Sequence, residues 1–469
     1  MKKTKKLIIF IIVTIFVIAV LHFGNSAVHM ANIGCGYKAK ILGSAVFISK
    51  RNPENVLNED LSDPNFKLIK AEIDYEKKTV TTTALFGLVK RKAFYRESLG
   101  VTLDLNENDR DISVDKLKNV ELSEKYDSTL WPQGDAVQLD NLPTNVNKQK
   151  LDEAIECAFL ETDSGRLKRT RAIVAVLDGR IIGEKYGQGF SKDVPLLGWS
   201  MTKSVTNALV GILVKQNKLA LNQKGLFSQW NNSGDQRNDI TLNNMMQMSS
   251  GLEFGEKYND LYADVVVMLY KEKSASDFAK NKPLLHNPGT YWSYTSGTTN
   301  MIQKIIRNTF EGDDQAYWEF PHKALFNRIG MKSAIIETDA SGTFIGSSYM
   351  YATARDWARY GLFLLQDGVW EEDRILPEGW VNYSTTPVEN APNGKYGAQF
   401  WLNPATLPNY NKELSEKLPQ DLYFMWGHES QFVTIIPSRN LVVVRLGLTI
   451  KNGAWDQAGF IVKIIEAIG

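Results

Sequence analysis

Two pairs of apolar, β-branched segments lie far apart in the sequence, and they constrain the fold more than any other feature. In the first pair, RAIVAVLDGRIIGEKYG, Asp178-Gly179 supplies the positive φ angles of a tight hairpin turn. The second pair, FVTIIPSRNLVVVRLGL, lies near the C-terminus and precedes an amphipathic helical pattern, DQAGFIVKIIEAIG. Helical patterns and turns fill residues 220–370 between the pairs. We therefore predict an α/β (α+β) architecture with one sheet assembled from sequence-distant strands.

The part of the chain before the first pair has a different character and predicts a separate unit. Its segments KAKILGSAVFISKR and KTVTTTALFGLVKRKAFYR are rich in β-branched and aromatic residues, which favour strands. We expect residues 1–30 to form a signal or membrane anchor and residues 31–145 a β-rich extension. Residues 146–469 then form the domain that carries the chemistry.

An uncharged apolar run, Leu7–Phe23, follows the basic flank MKKTKK at the N-terminus. The run is long for the apolar core of a signal peptide and short for a transmembrane helix, so a cleaved signal and a retained anchor both stay open. The lysines before the run predict a cytoplasmic N-terminus. We expect the rest of the chain to be exported, periplasmic or otherwise extracytoplasmic, with residues 7–23 as its contact with the membrane.

The charge and cysteine content exclude several classes of function. Lys and Arg number 54 and Asp and Glu 53, so the net charge of +1 gives no electrostatic footprint for nucleic acid. Two cysteines, Cys35 and Cys157, are too few for a disulfide scaffold or a cysteine-type zinc site. The sequence contains no H-E-x-x-H, P-loop or G-x-S-x-G motif. A hydrolase of this sequence would need a base other than the usual histidine.

Ser200 and Lys203 begin an apolar helical segment, GWSMTKSVTNALVGILVKQ. Residues i and i+3 of a helix share one face, so the serine hydroxyl can reach the lysine amine. The helix N-terminus favours developing negative charge, and an apolar setting disfavours the ammonium form, so the amine could act as a base. The alternative is a capping serine and a lysine that extends to solvent. A second S-x-x-K sequence, Ser113–Lys116, lies in a highly charged stretch and predicts a solvated loop.

Two further polar groups follow in the chain. Tyr294 and Ser296 lie in YTS, directly before a helical pattern, and a tyrosine hydroxyl beside a lysine amine could shuttle a proton. The tetrad HESQ, residues 428–431, stands at the entrance of a C-terminal strand, which could lend a backbone N–H to an oxyanion hole. Taken alone, the tyrosine is better explained as a core or rim aromatic residue and the histidine as a structural one.

The order S-x-x-K, then Y-x-S, then a polar tetrad that enters a strand resembles the serine β-lactamase and penicillin-binding-protein superfamily. The Y-x-S form is most similar to the class C-like branch, which holds 6-aminohexanoate-dimer hydrolases, family VIII esterases and D-alanyl-D-alanine carboxypeptidases. The similar stretches cover most of residues 150–469. They include TLNNMMQMSSGLEF (241–254), GSSYMYATARDWARYGLFLLQDGVW (346–370) and ILPEGWV (375–381).

The resemblance implies a β-lactamase/transpeptidase-like fold, with an antiparallel five-stranded sheet flanked by helices and an all-helical subdomain at about 220–370. It also implies that Ser200 is acylated and that Lys203 and Tyr294 share the work of base and acid. Deacylation by water would follow, and no metal or cofactor would take part.

Four further residues fall on the binding positions of the resemblance. Ser296 matches the last position of the second motif, and the backbone N–H groups of Ser200 and Gln431 would form the oxyanion hole. His428 stands where β-lactamases carry a lysine that helps hold a substrate carboxylate, and Ser430 stands at the usual glycine. The histidine favours the esterase and amide-hydrolase side of the branch over recognition of penicillin-like acids.

Three functions remain open from the sequence. We favour an exported serine hydrolase that cleaves a small amide or ester, with its oligomeric state left open. The first alternative is a peptidoglycan D,D-carboxypeptidase or a β-lactamase, and the missing lysine of the third motif counts against it. The second is a non-catalytic binding or sensor protein of the same fold, against which the intact Ser200, Lys203 and Tyr294 argue.

Overall fold

The computed structural model describes residues 2–105, 128–232, 234–409 and 411–469. Side chains are described from residue 24 onward within these ranges, with the exception of residue 415. The second S-x-x-K sequence, at 113–116, lies outside the described residues.

The helices and strands of the described chain are numbered in chain order. The helices are α1 (Lys2–Phe47), α2 (Pro53–Asn58), α3 (Lys148–Phe159), α4 (Thr202–Lys215), α5 (Leu242–Met246), α6 (Asp264–Tyr270), α7 (Ala275–Lys280), α8 (Ser296–Asn308), α9 (Asp314–Pro321), α10 (Ala354–Leu365), α11 (Trp380–Thr385), α12 (Lys412–Ser415) and α13 (Gln457–Ile468). The strands are β1 (Lys70–Asp74), β2 (Thr79–Ala84), β3 (Val89–Arg96), β4 (Gly100–Asp104), β5 (Thr170–Leu177), β6 (Arg180–Tyr186), β7 (Leu196–Leu197), β8 (Ile335–Ile336), β9 (Met350–Ala352), β10 (Val369–Trp370), β11 (Asp373–Arg374), β12 (Trp401–Leu402), β13 (Tyr423–Gly427), β14 (Gln431–Ile436) and β15 (Leu441–Gly447).

The described backbone divides into two compact units. The first contains residues 2–95, 101–105 and 257–273, and the second contains the remaining described residues. The sequence predicts that residues 146–469 form the hydrolase domain. Residues 257–273 lie within that range, but they pack within the first unit. The domain boundary near residue 145 itself stays a prediction.

The first unit combines α1 with a four-stranded sheet in the order β1-β2-β3-β4. The strands predicted in KTVTTTALFGLVKRKAFYR are confirmed as β2 and β3, which pair antiparallel. The strand predicted in KAKILGSAVFISKR is wrong, because this segment continues α1 to Phe47. Ala39, Leu42 and Ala45 are buried at helical spacing, and such packing overrides the weak strand preference of individual residues.

The predicted membrane contact involves the N-terminal part of α1. Among the residues whose side chains are described, no helix is both long and apolar enough to cross a membrane. The run 7–23 lies in the part of α1 for which only the backbone is described. The anchor and the export of the chain therefore stay predictions.

The second unit is built on a six-stranded antiparallel sheet in the order β12-β13-β14-β15-β5-β6. The sheet joins sequence-distant strands as predicted, since Val443 of β15 pairs with Ala175 of β5. The resemblance implied five strands, and the sixth is β12, a two-residue edge strand paired with β13. The hairpin at Asp178-Gly179 is confirmed, with φ of 48° and 75° at the two turn residues.

Helices cover both faces of this sheet, because the residues of β5 alternate between two apolar cores. Ala172, Val174 and Val176 face one core, which includes residues of α4, α8 and α10. Ile173 and Ala175 face the other core, which includes residues of α3 and α13. This period-2 alternation of buried apolar residues is what a central strand covered on both faces requires.

The region 220–370 contains α5 to α10 but is not all-helical, which corrects that prediction. Short strands β8 and β9 join β7 in a three-stranded sheet with the order β7-β9-β8. Leu197 of β7 pairs with Tyr351 of β9. These extended pieces complete backbone hydrogen bonds next to residue 198 and so fix the chain just before Ser200.

A close backbone approach between β13 and the segment before Ser200 yields a test of this arrangement. A Cβ added at Gly427 would lie 2.1 Å from the backbone oxygen of Gly198, and rotation of a side chain cannot relieve that overlap. We expect Gly427→Ala to lower the free energy of unfolding by about 3 kcal/mol, measured by urea denaturation. In the control Gly165→Ala, the new Cβ would meet only the Asp163 side chain, at 3.3 Å, and the change should stay below about 0.5 kcal/mol. Equal losses in the two variants would contradict the close approach.

Candidate active site

Ser200 lies in a short 3₁₀ turn, Trp199–Met201, that leads directly into α4. Trp199 has a φ of 48°, a left-handed conformation that is unusual for a bulky residue. The Thr202 hydroxyl donates to the Trp199 carbonyl oxygen at 2.6 Å and helps hold this turn. Such local strain next to a reactive group is typical of functional sites. The turn leaves Ser200 partly exposed at the amino end of α4.

Lys203 connects three parts of the second unit through its amine. The Nζ atom lies 3.1 Å from Ser200 Oγ, 3.1 Å from Ser296 Oγ and 2.9 Å from the carbonyl oxygen of Ser347. Only 1% of the residue is exposed, so the alternative of a lysine that extends to solvent is wrong. The structure thus brings Ser200, Lys203 and Ser296 together.

Burial sets the protonation of Lys203. Desolvation of the ammonium form lowers the pKa of Lys203 to about 8, and the nearby Glu256 carboxylate opposes this shift. A pKa of about 8 leaves a minority of neutral amine at neutral pH, and only this form can accept a proton.

Tyr294 completes the group around Ser200. Its side chain is hydrogen-bonded to Ser200, and the amine of Lys203 lies 4.8 Å from the centroid of its ring. Burial, followed by the negative charge of Glu256, raises the pKa of the Tyr294 hydroxyl above its ordinary value, and the hydrogen bond with Ser200 only partly opposes this. The hydroxyl therefore keeps its proton at neutral pH and can donate it.

Aromatic rings extend from Tyr294 along the edge of the sheet. The Tyr294 ring lies 5.2 Å from Trp401 and packs edge-on against Tyr396, with 5.8 Å between the centroids. Trp401 in turn packs edge-on against Trp426 at 5.2 Å. Tyr294, Trp401 and Trp426 are only partly buried, so they form an apolar wall that begins at Tyr294 beside Ser200.

Glu256 lies next to Ser296 and Lys203, although no motif in the sequence identified it. Its carboxylate accepts hydrogen bonds from the Ser296 backbone N–H at 2.9 Å and from the Ser296 hydroxyl. Lys203, Ser296 and Glu256 therefore form a continuous hydrogen-bonded chain from the amine to a carboxylate. The contact spans 40 residues from a turn-rich segment, and no local pattern in the sequence marks such a partner.

The third predicted motif forms a turn directly before β14. Glu429 and Ser430 have φ of 60° and 64°, so Ser430 adopts a left-handed conformation at the position where the superfamily has glycine. The Gln431 side-chain amide donates to the carbonyl oxygen of Gly447 at 2.7 Å and accepts from its N–H at 2.9 Å. The side chain of Gln431 thus ties β14 to β15. A role of its backbone N–H in an oxyanion hole stays a prediction.

Arg445 of β15 supports this turn, and the sequence did not identify it. The fully buried guanidinium donates to the carbonyl oxygens of Ser430 at 2.7 Å, Glu429 at 3.2 Å and Lys168 at 2.6 Å. Burial lowers the pKa of Arg445 from its ordinary value. Carbonyl groups that face one buried cation are held in place, so Arg445 fixes the left-handed turn.

His428 and Glu429 give the edge of the site its polarity. His428 is exposed, and its ring packs edge-on against Trp199 at a centroid distance of 5.4 Å. The Glu429 carboxylate accepts a hydrogen bond from the Trp199 indole N–H at 3.2 Å. A carboxylate therefore lies near the position where the superfamily places a cationic lysine.

Within the described ranges, no group of three or more His, Cys, Asp or Glu side chains is arranged to hold a metal ion. The titratable groups around Ser200 are instead a buried amine, a phenol and a carboxylate, belonging to Lys203, Tyr294 and Glu256. These groups can move a proton to and from a hydroxyl.

A family model described as Beta-lactamase matches residues 166–447, which is more than half of the chain. The chain belongs to this family. The superfamily resemblance in the sequence and the β-lactamase/transpeptidase-like fold are thereby confirmed.

Three known proteins illustrate the similarity of this β-lactamase-family chain. A 6-aminohexanoate-dimer hydrolase from Paenarthrobacter ureafaciens is 23% identical over 294 residues, which cover 58% of this chain and 70% of the relative. A solved structure from Bacillus anthracis, assigned as a 6-aminohexanoate-dimer hydrolase, is 21% identical with a TM-score of 0.54, and the match covers 71% of this chain and 86% of that one. EstCE1, a hydrolase with promiscuous acyltransferase activity, is 12% identical with a TM-score of 0.53, over 68% of this chain and 99% of its own. The two solved structures show the fold, and membership of the family supports a hydrolase.

The position of Glu256 predicts the pH dependence of Ser200 reactivity. We expect the rate of Ser200 phosphonylation by a fluorophosphonate, which releases fluoride, to rise with pH, with a midpoint near the Lys203 pKa of about 8, because only the neutral amine accepts the serine proton. The Glu256 carboxylate stabilises the ammonium form. Glu256→Gln should therefore move the midpoint to lower pH, by roughly one unit.

The measurement is the rate at which the fluorophosphonate adduct forms at Ser200, between about pH 6 and about pH 10. Glu253→Gln is the matched control, because it removes the same charge from an exposed carboxylate three residues away in the chain. The pH midpoint of the Glu253→Gln variant should equal that of the parent protein. A Glu256→Gln midpoint that is unchanged, or that moves to higher pH, would show that this carboxylate does not act on Lys203.

Proposed function

We propose that the chain is a serine hydrolase that cleaves a small amide or ester through an acyl-enzyme at Ser200. The observation that carries this proposal is the 3.1 Å distance between Ser200 Oγ and the amine of the buried Lys203. The lowered pKa of that amine and the Tyr294 hydroxyl beside Ser200 support it further. Neither feature is needed by a protein that only binds a ligand, so both count against the binding or sensor alternative.

In the first step, neutral Lys203 accepts the proton of the Ser200 hydroxyl, and Oγ attacks the substrate carbonyl carbon. The backbone N–H groups of Ser200 and Gln431 would donate to the resulting oxyanion. The bond to the leaving group then breaks, and the leaving nitrogen or oxygen takes a proton from the Tyr294 hydroxyl, which is refilled from the Lys203 ammonium. Ser200 is left as an acyl ester.

In the second step, water attacks the acyl ester after giving a proton to the same pair, Lys203 and Tyr294. Collapse of the intermediate releases the acid and returns the proton to Ser200 Oγ. Throughout the cycle, Ser296 joins the amine to the Glu256 carboxylate, which stabilises the ammonium formed in each proton transfer. All atoms come from substrate, water and the described side chains.

The substrate class follows from the surroundings of Ser200. The wall of Tyr294, Trp401 and Trp426 suits an apolar chain, and the Glu429 carboxylate disfavours an anion at the edge of the site. The name of the Paenarthrobacter relative, 6-aminohexanoate-dimer hydrolase, points to a linear amide. We therefore propose a linear amide or ester without a carboxylate next to the scissile carbonyl.

The proposal is tested by intact-mass spectrometry after incubation with a fluorophosphonate. We expect one adduct on the parent chain and none on Ser200→Ala, because Ser200 is the partly exposed hydroxyl beside the Lys203 amine, whereas Ser296 is fully buried. Ser113→Ala is the matched control, because it removes the serine of the second S-x-x-K sequence, and it should keep the adduct. An adduct that persists in Ser200→Ala, or a folded parent chain that neither forms an adduct nor hydrolyses p-nitrophenyl esters, would reject the serine hydrolase.

The role of the amine has its own test on the same helix. Lys203→Ala should lower kcat/KM for a p-nitrophenyl ester by about 10²–10⁴-fold, because it removes the general base. Lys215→Ala, at the exposed end of α4, is the matched control and should retain activity. Equal activity of the two variants would exclude Lys203 as the base.

A fluorescent penicillin separates this proposal from the D,D-carboxypeptidase and β-lactamase alternative. We expect no covalent labelling of Ser200 by the penicillin and no hydrolysis of it, because Glu429 repels its carboxylate. The measurement is in-gel fluorescence beside the fluorophosphonate adduct. Stoichiometric labelling or turnover of the penicillin would favour the alternative.

A further inference from the structure

The β2–β3 hairpin of the first unit carries apolar side chains that no described residue of that unit covers. Phe86 and Leu88 lie at its tip and expose 111% and 83% of their surface. Phe86 has a φ of 56° in the turn, so the tip conformation is unusual for a residue of this size. A large aromatic residue held fully in water is costly, and such residues mark interaction sites.

A second exposed apolar group lies at the start of the described part of α1. Val28 and Met30 are exposed there, and Leu261 and Tyr262 are exposed in the loop before α6. This loop is fixed to α1 because the Tyr262 ring stacks on His29 at 4.2 Å and the Leu261 carbonyl oxygen lies 2.9 Å from His29 Nε2. The exposed residues of helix and loop therefore form one surface.

The hairpin tip points towards this same end of α1. The Thr82 hydroxyl of β2 donates to the Cys35 carbonyl oxygen at 2.9 Å, and Leu85 packs with Ala31 against the core that contains Cys35. The other end of the sheet lies beside the end of α1, where Phe47 packs edge-on against Tyr75. The two ends are about 24 Å apart along the helix at 1.5 Å per residue. The exposed residues at the N-terminal end form a collar around α1: Val28, Met30, Phe86, Leu88, Leu261 and Tyr262.

The occupant of the collar follows from the continuity of α1. The uncharged run 7–23 ends at Phe23, and because α1 is one uninterrupted helix, Val28 lies only about 8 Å beyond the end of that run. Apolar and aromatic residues at this distance from a membrane-inserted segment lie at the level of the lipid headgroups. The basic sequence Lys90–Lys92 follows the tip directly and suits anionic headgroups.

We propose that the collar rests on the surface of an anionic lipid bilayer, with the hairpin tip inserted at the headgroup level. The collar holds the first unit against the membrane in addition to the predicted anchor at 7–23, on which the proposal rests. The chain then acts next to a bilayer, on the extracytoplasmic side that the N-terminal lysines predict. The proposal does not depend on the hydrolase activity.

The test measures how deeply each end of the first unit lies in the bilayer. The background is the full chain with Cys157→Ser, in which the remaining native thiol, Cys35, is buried. Into this background we introduce either Phe86→Cys or the control Tyr75→Cys. Tyr75 is also an exposed aromatic, at the other end of the sheet. An environment-sensitive fluorophore is attached to the new thiol. The chain is reconstituted in vesicles of about three parts phosphatidylcholine to one part phosphatidylglycerol.

We expect the fluorophore at residue 86 to shift to shorter wavelength and to be quenched by spin-labelled lipid, and the fluorophore at residue 75 to behave as in water. Quenching at residue 86 should decrease in vesicles of phosphatidylcholine alone. Equal, water-like emission at both positions, or a full chain that does not associate with vesicles, would overturn the proposal. An emission shift at residue 86 that appears without lipid and grows with protein concentration would show that a second copy of the chain covers the collar. That result would also overturn the membrane proposal.

Discussion

The buried amine of Lys203 is the interaction on which the rest of the second unit depends. The Lys203 amine hydrogen-bonds to Ser200 in the turn before α4 and to Ser296, the first residue of α8. It also donates to the carbonyl oxygen of Ser347, which lies before β9. A lysine buried to 1% exposure is tolerated only where its hydrogens have partners. The three elements must therefore meet at one point for the unit to be stable. The same contacts place the Ser200 hydroxyl, the Lys203 amine with its lowered pKa and the Tyr294 phenol close together.

A second buried cation has the matching role on the other side of the site. Arg445 lies under the turn at 428–430 and donates to carbonyl oxygens that a left-handed backbone turns inward. Trp199 is left-handed as well, so the two strained turns directly follow Gly427 and Gly198, whose backbones approach each other closely. Strain of this kind persists only when the surrounding contacts determine it. Here the contacts are the guanidinium and the Trp199–Glu429 hydrogen bond.

Much of the fold could be predicted because its signals are local. The Asp178-Gly179 turn, the alternation in β5 and the periodicity of α13 each lie within a few residues. The motif order singled out Ser200, Lys203 and Tyr294, which lie together in the structure, and their catalytic roles stay a prediction. Glu256 and Arg445 were missed because their partners lie far away in sequence, and an isolated Glu or Arg has no pattern. The continuation of α1 to Phe47 was missed because burial, rather than the strand preference of its residues, decides it.

The pairing of β5 with β15 has a consequence for how the chain is made. Ala175 finds its partner Val443 only after nearly the whole polypeptide has been synthesised. Until then one edge of β5 lacks its partner and one face of the hairpin lacks the cover of α13, and such edges pair readily with other chains. Long-range pairing of this kind is slow compared with helix formation. The predicted export of the chain as an extended polypeptide would meet no obstacle from this sheet, because the sheet cannot close before its last strand arrives.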